Sequence, residues 1–252
     1  MKRVLVTGAA GQIGSELVPA LRRVYGDAAV MASDLRPPSP EDAAAGPTAV
    51  VDCLDAAAVA EAAARHGADA VFHLAALLSA TAERDPMRAW RINMETLVNV
   101  LEVAREREMA VFVPSSVAAF GPSTPPDPAP QDTLQRPTSI YGVTKVAGEL
   151  LCDYYALRWA VDVRGVRYPG LISHSAPPGG GTTDWAVAIF HHAVRDGRYA
   201  SFVAADTQLD MMYMPDAVRA AIELMEADPG RLAHRNAYNV TAMQLTPARL
   251  AG

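Results

Sequence analysis

The stretch Met1 to Gly14, MKRVLVTGAAGQIG, limits the fold more tightly than any other part of the chain. Lys2 to Thr7 is an apolar, β-branched run, and Gly8, Gly11 and Gly14 follow it at three-residue intervals before a helical pattern begins. Glycine at these positions lets the chain turn sharply off a strand, bring its backbone close to a pyrophosphate and pack the next helix tightly on a sheet. The free N–H groups and positive dipole end of that helix would then receive the anion. Gly8, Gly11, Gln12, Ile13 and Gly14 are therefore candidates for holding a dinucleotide. Ala28 to Ser33 reads as a second strand, and Asp34 ends it twenty residues after Gly14. A carboxylate there accepts from a ribose 2′-hydroxyl and repels a 2′-phosphate, which favours NAD over NADP. Arg36 complicates that preference, because a guanidinium beside the acid could meet a phosphate.

Pro37 to Pro47, rich in proline and alanine, reads as a surface loop. Thr48 to Asp52 is a third strand, and Asp52 either meets the adenine edge of the cofactor or serves the start of the next helix, which Asp55 also caps, from Ala56 to His66. Ala70 to Leu74 is a fourth strand; beyond Leu74, the small residues Ala75 and Ala76 let a backbone pass under the dinucleotide. Asp85-Pro86 opens a helix running to about Glu108. It presents Trp90, Met94, Leu97, Leu101 and Ala104 on one apolar face, with Ile92, Val100 and Val103 on another. Ala110 to Val113 is a fifth strand. Such alternation predicts an α/β protein with a Rossmann-like, doubly wound parallel sheet, whose ligands bind outside the carboxyl ends of the strands.

Just past the fifth strand stand Ser115 and Ser116. After a proline-rich loop, Pro122 to Pro137, a helix starting near Thr138 or Ser139 carries Tyr141 and Lys145 on one face. Oxidising an alcohol with NAD requires a base for the hydroxyl proton while hydride leaves for the nicotinamide. A free phenol, with a pKa of about 10, is a poor base near neutrality. An ammonium one helical turn away, together with the oxidised nicotinamide ring, favours the phenolate. In this arrangement Tyr141 is the base, Lys145 its electrostatic partner and ribose anchor, and Ser116 or Ser115 the group that orients the substrate oxygen.

Half of the 252 residues are hydrophobic, enough for a substantial core. The formal net charge of −6 argues against nucleic acid or an anionic membrane as a partner. The two cysteines, Cys53 and Cys152, read as reduced packing residues, and no zinc or other metal site is expected. His191 and His192 read as a helix-surface pair. No apolar run reaches the roughly eighteen residues that spanning a bilayer would need, so a cytoplasmic protein is expected.

The strings VTGAAGQIG, HLAA from His73, SSVAAFG from Ser115 and YGVTK from Tyr141 resemble the extended short-chain dehydrogenase/reductase family, which includes sugar-nucleotide epimerases. More narrowly, VPSSVAAFGP, YGVTKVAGELL, and RYPGLIS followed by PPGGGTTDWA are similar to its branch of short-chain L-threonine 3-dehydrogenases. The resemblance implies NAD-dependent oxidation of L-threonine at its hydroxyl carbon to 2-amino-3-oxobutyrate. It maps the catalytic serine onto Ser116, beside Tyr141 and Lys145, and places Tyr168, Pro169 and Leu171 near the nicotinamide. It also implies a homodimer, for which the second apolar face of the helix from Pro86 and the run Leu150, Leu151, Tyr154, Tyr155 and Leu157 would supply a four-helix interface. The competing reading is an NAD-dependent nucleotide-sugar epimerase or dehydratase, which needs a basic lodging for a nucleoside diphosphate; Arg195, Arg198 and Arg219 are the candidates.

Val161 to Tyr168 reads as a sixth strand, closed by Pro169-Gly170. Pro177 to Trp185 reads as a flexible segment ending in a helix start capped by Thr182 or Thr183. A zwitterionic amino acid needs donors for its carboxylate and an acceptor for its ammonium, so Gly181, Thr182 and Asp184 are candidate substrate contacts, with Ser79 from the loop after the fourth strand. A strand near Gln208 to Met214, a helix from Pro215 to about Ala227, a strand from Ala237 to Val240 and a helix start at Thr246-Pro247 complete the chain. Residues 1–170 are expected to form the NAD-binding domain that carries the catalytic residues, and 171–252 a small substrate-binding lobe interleaved with the end of the sheet and truncated relative to the family, whose members continue for several further elements.

Overall fold

The computed structural model describes residues 1–176 and 179–251. Pro177 and Pro178, the head of the glycine-rich segment, lie outside the described residues. The chain runs β1 (Val4–Thr7), α1 (Gly14–Tyr25), β2 (Val30–Asp34), α2 (Pro40–Ala45), β3 (Thr48–Val50), α3 (Ala56–His66), β4 (Ala70–His73), α4 (Ser79–Arg84), α5 (Pro86–Arg107), β5 (Ala110–Phe112) and β6 (Ser115–Ser116). It continues through α6 (Ile140–Trp159), β7 (Val163–Arg164), β8 (Val166–Tyr168), β9 (Gly170–Ile172), α7 (Trp185–Asp196), β10 (Leu209–Tyr213), α8 (Met214–Glu226), β11 (Tyr238–Asn239), β12 (Met243–Leu245) and α9 (Pro247–Ala251).

Six strands form a parallel sheet in the order β3-β2-β1-β4-β5-β7. Because successive side chains point to opposite faces, Leu5 meets α3, α5 and α6 on one side while Val4 and Val6 meet α1 and α8 on the other. All four β1 residues are buried, as a strand covered on both faces must be. The strand order reverses between β1 and β4, and a crevice opens there at the carboxyl ends. Two three-stranded sheets, β11-β8-β6 and β12-β10-β9, extend the structure beyond this edge. Trp185 and Met211 centre a small separate core under the second of them.

Several expectations are corrected. Pro37 to Pro47 contains α2, because Ser39 and Asp42 form a reciprocal capping box around Pro40-Glu41, with proline at the first helical position. The sixth strand is broken: β7 stays in the central sheet while β8 pairs with β6 and β11. The break falls at Gly165, where any Cβ would run into the carbonyl of Val113. Neither Thr182 nor Thr183 caps α7 with its side chain; Asp184 holds the N-cap position, also without a side-chain cap. Ser79 opens the short helix α4 rather than lying in a loop. On α5, Leu97, Leu101 and Ala104 are buried together with Val100 and Val103, whereas Trp90 stays 37% exposed, so the two sequence faces do not separate as drawn. No helix among the described residues is long and apolar enough to cross a membrane.

Candidate active site

The glycine loop is a cradle that side chains would fill. Gly8 has φ +70°, and a Cβ there would stand 2.7 Å from the amide nitrogen of Ala75, so β1 and the segment after β4 touch backbone to backbone. A Cβ on Gly14 would strike the backbone of Ala9. The amides of Gln12, Ile13 and Gly14 have no protein acceptor among the described residues, and Nε2 of Gln12 is buried without a partner. A polyanion meeting this turn would find donors waiting at the start of α1, the chemistry a dinucleotide requires.

At the rim of this loop, Oδ2 of Asp34 accepts from the amide of Ala10 at 3.0 Å. Its Oδ1 accepts from the amide of Arg36 at 3.0 Å and from Nε of Arg36 at 3.2 Å. Asp52 lies outside the crevice; its Oδ1 accepts from the amide of Leu54 at 2.9 Å, while Asp55 alone caps α3.

A cleft of about 330 Å³ opens from the loop and gathers most of the residues expected from the sequence. Gly8, Gly11, Gln12, Ile13, Gly14, Leu74 and Ala76 line it, as do Ser79, both Ser115 and Ser116, Tyr141, Lys145, Tyr168, Pro169, Gly181, Thr182 and Asp184. Ala75 sits behind Gly8 instead, and Asp34 and Asp52 do not line the cleft. Leu78, Val117, Thr183 and Leu209 line it without having been anticipated. Lys145 is the one cationic side chain on its lining among the described residues.

The two serines part company. Ser115 is buried and its Oγ donates to Oε1 of Glu149, which is itself held by Nε of Arg167 at 3.0 Å. Ser116 Oγ accepts from the amide of Ala118 at 3.1 Å, which fixes its rotamer and leaves its own proton free to donate. Lys145 reaches along α6 so that Nζ donates to the carbonyl of Pro114 at 2.7 Å and stands 5.3 Å from the Tyr141 ring centre. Tyr168 is buried, and its hydroxyl donates to the carbonyl of Ala217 at 2.7 Å, so no proton of that phenol is offered to the cleft.

Behind Lys145 lies His73 at the end of β4. Burial, aided by the Lys145 ammonium, pushes its pKa down to about 3. Thr96 Oγ1 donates to the carbonyl of Ile92 at 2.7 Å, so at 3.3 Å from His73 it can only accept, from Nε2–H. Nδ1 then accepts from Thr7 Oγ1 at 2.8 Å, which defines one neutral tautomer.

The described part of the glycine-rich segment is tied down. Oδ2 of Asp184 accepts from the amides of Gly180 and Gly181 at 2.8 and 2.7 Å. Ser79 Oγ accepts from the amide of Thr182 at 3.1 Å, and the amide of Ala80 donates to the carbonyl of Gly180 at 3.0 Å. His192 pairs with Asp196 on the surface of α7, and among the described residues no group of His, Cys, Asp and Glu side chains could hold a metal.

A parallel doubly wound sheet with a glycine cradle at its switch point and a Ser, Tyr and Lys set on one cleft defines a dinucleotide-type oxidoreductase architecture. The chain belongs to the NAD dependent epimerase/dehydratase family, whose sequence model matches residues 4–241. It is 55% identical over 250 residues to a protein of Staphylococcus saprophyticus described as an uncharacterized epimerase/dehydratase, covering 98% of this chain and 78% of that one. Among solved structures, L-threonine dehydrogenase from Clostridium difficile superposes with a TM-score of 0.95 at 51% identity, covering 99% of this chain and 78% of that one. The holo form of a GalE-like L-threonine dehydrogenase from Cupriavidus necator superposes with a TM-score of 0.93 at 49% identity, covering 98% and 80%.

Proposed function

We propose that this protein is an NAD-dependent dehydrogenase that oxidises L-threonine at its hydroxyl carbon to 2-amino-3-oxobutyrate. The observation that carries the reading is the convergence of Ser116, Tyr141 and Lys145 on a cleft that begins at the glycine loop and offers Lys145 as its cation. Bound NAD supplies the hydride acceptor. The glycine loop amides and Gln12 hold its diphosphate, Asp34 its ribose, and Leu74, Ala76 and Pro169 flank it. Tyr141 takes the substrate's hydroxyl proton. Lys145, anchored by the Pro114 carbonyl, sets its positive charge beside the Tyr141 ring and keeps two N–H groups for ribose hydroxyls. Ser116 donates to the substrate oxygen as charge develops there.

Residues 1–170 carry the cofactor cradle and the catalytic set; from 171 onward, Gly181 to Asp184 and Leu209 border the substrate end of the cleft, while α8 backs the central sheet. The amides and hydroxyls of Gly181, Thr182 and Ser79 address the amino acid's carboxylate. Oδ1 of Asp184, which takes no hydrogen bond among the described residues, addresses its ammonium. A nucleoside diphosphate sugar would need more cationic partners than this cleft has. Arg195 pairs with Asp196 and Arg219 with Asp216, and neither they nor Arg198 line it. The open apolar faces of α5 and α6 join two copies into a homodimer.

The test is NADH absorbance with purified protein, NAD and L-threonine beside a Tyr141→Phe control. Steady NADH release that the control lacks supports the reading. Bound NAD without release favours an epimerase-type enzyme that returns the hydride to its substrate.

A further inference from the structure

Arg36 does not extend into solvent from the end of β2; it folds back across the glycine loop. Its Nε donates to Oδ1 of Asp34 at 3.2 Å and its Nη2 to the carbonyl of Ala10 at 2.7 Å, while Nη1 has no partner among the described residues. The Asp34 carboxylate is only 16% exposed, against 66% for the Arg36 side chain. Ala10 lies between Gly8 and Gly11, so this guanidinium is held at the place where the adenosine ribose of a dinucleotide meets the acid that ends β2. A 2′-phosphate on that ribose would want a planar guanidinium and the removal of the carboxylate. One of the two requirements is already built.

We infer that Arg36 is a parked receptor for a 2′-phosphate, and that Asp34 enforces the choice of NAD over NADP by holding the guanidinium as well as by repelling the phosphate. The inference rests on the dinucleotide reading of the cleft and deepens it. It has a consequence that simple repulsion lacks: losing the Asp34 carboxylate should create affinity for the 2′-phosphate, and that affinity should belong to Arg36. Repulsion alone would be relieved whatever residue stood at position 36. In Asp34→Asn the charge is lost, but an amide oxygen turned toward Arg36 still accepts from its donors, so the arginine is released less fully than in Asp34→Ser.

Calorimetric binding of 5′-ADP and of 2′,5′-ADP to the wild type, Asp34→Ser, Asp34→Asn and Asp34→Ser/Arg36→Met separates these cases without turnover. The wild type is expected to bind 5′-ADP and to disfavour 2′,5′-ADP. Asp34→Ser should bind 2′,5′-ADP roughly ten- to a hundredfold more tightly than the wild type does, the scale of charge-assisted hydrogen bonds, and the gain should shrink with added salt. Asp34→Asn should show a smaller gain, and far-ultraviolet circular dichroism reports that each variant is folded, since Asp34 itself addresses the ribose of either ligand. A gain that survives Arg36→Met, or no gain in either single variant while both remain folded, overturns the role of Arg36. A wild type that fails to bind 5′-ADP overturns the dinucleotide reading and this inference with it.

Discussion

Ser115 Oγ donates to the carboxylate of Glu149 while Ser116 Oγ keeps its proton free, so of two adjacent serines on the cleft lining only Ser116 has an uncommitted donor. Strand geometry forces the split, since neighbours on β6 point to opposite faces. Ser116→Ala should therefore lower kcat by roughly 10²–10³, the usual loss of a donor to developing oxygen charge, with stability nearly unchanged. Ser115→Ala should cost about 1 kcal/mol of stability and leave kcat within a few-fold. Steady-state kinetics and urea titrations on both variants check the assignment; a kcat collapse confined to Ser115→Ala would reverse it.

Glu149 also forms a buried pair with Arg167, whose Nε and Nη2 meet its two oxygens at 3.0 and 2.8 Å. Both side chains are almost fully enclosed, at 4% and 7% exposure, and Gln135 donates to the same carboxylate at 2.8 Å. The pair joins α6, which carries Tyr141 and Lys145, to β8, which pairs with the serine strand. Removing one partner strands the other charge. Glu149→Ala should cost roughly 3–5 kcal/mol, whereas Glu149→Met/Arg167→Met should recover most of that loss, because apolar replacement of both ions avoids the desolvation penalty. Chemical denaturation of the three proteins measures the difference.

The parts of the fold governed by local chemistry could be read directly. Helix α3 runs from Ala56 to His66 as expected because Asp55 accepts from the amides of Ala57 and Ala58 and Gly67 takes φ +65° behind it. Ser139 starts α6 in the same way, accepting from the amide of Gly142. The break between β7 and β8 was not legible, since VDVRGVRY alternates like one strand and only atoms distant in sequence, the carbonyl of Val113 and Oδ1 of Asn236, require glycine at 165. The serine assignment was likewise undetermined by spacing. A usable signal for the Glu149 pair was present: Glu149 lies one turn past Lys145, and Arg167 interrupts an apolar strand, where a charge is seldom tolerated without a partner. The tethering of Asp184 to Gly180 and Gly181 had no such signal, because loop amides and a carboxylate can meet in many ways.

His73 gives the protein a defined acid response. Its pKa falls from the ordinary 6.5 to about 3 in the folded state, so between those values the unfolded chain binds more protons than the native one. The contribution of this group to stability is whole above pH 6.5 and is lost as pH falls towards 3. Replacing His73 by asparagine should flatten the stability profile in that window by up to about 1.4 kcal/mol per pH unit, while lowering stability near neutrality through the lost Thr7 and Thr96 bonds. Urea midpoints at half-unit steps from pH 4 to 8 resolve the slope, and parallel slopes would show that His73 is not the group responsible.

The exposed sides of α5 and α6 carry more apolar surface than the sheet has use for. Tyr155 is buried and its hydroxyl donates to Glu102, and Arg105 lies 5.4 Å from the Trp159 ring, so the two helices are already fastened to each other. On their outer side Leu150 is 63% exposed, Leu157 87% and Met87 71%, with Tyr154 and Trp90 partly open. Pairing two copies across a twofold axis would set these residues against their counterparts in a four-helix arrangement and remove them from water. Each large apolar side chain so covered is worth about 1.5–3 kcal/mol, whereas a carboxylate in the same place must be desolvated without a partner. Leu150→Asp should therefore shift the protein from dimer to monomer in sedimentation velocity without lowering its thermal midpoint as a monomer, since the residue supports no part of its own core. A wild type that sediments as a monomer at micromolar concentration would assign these helices to solvent instead.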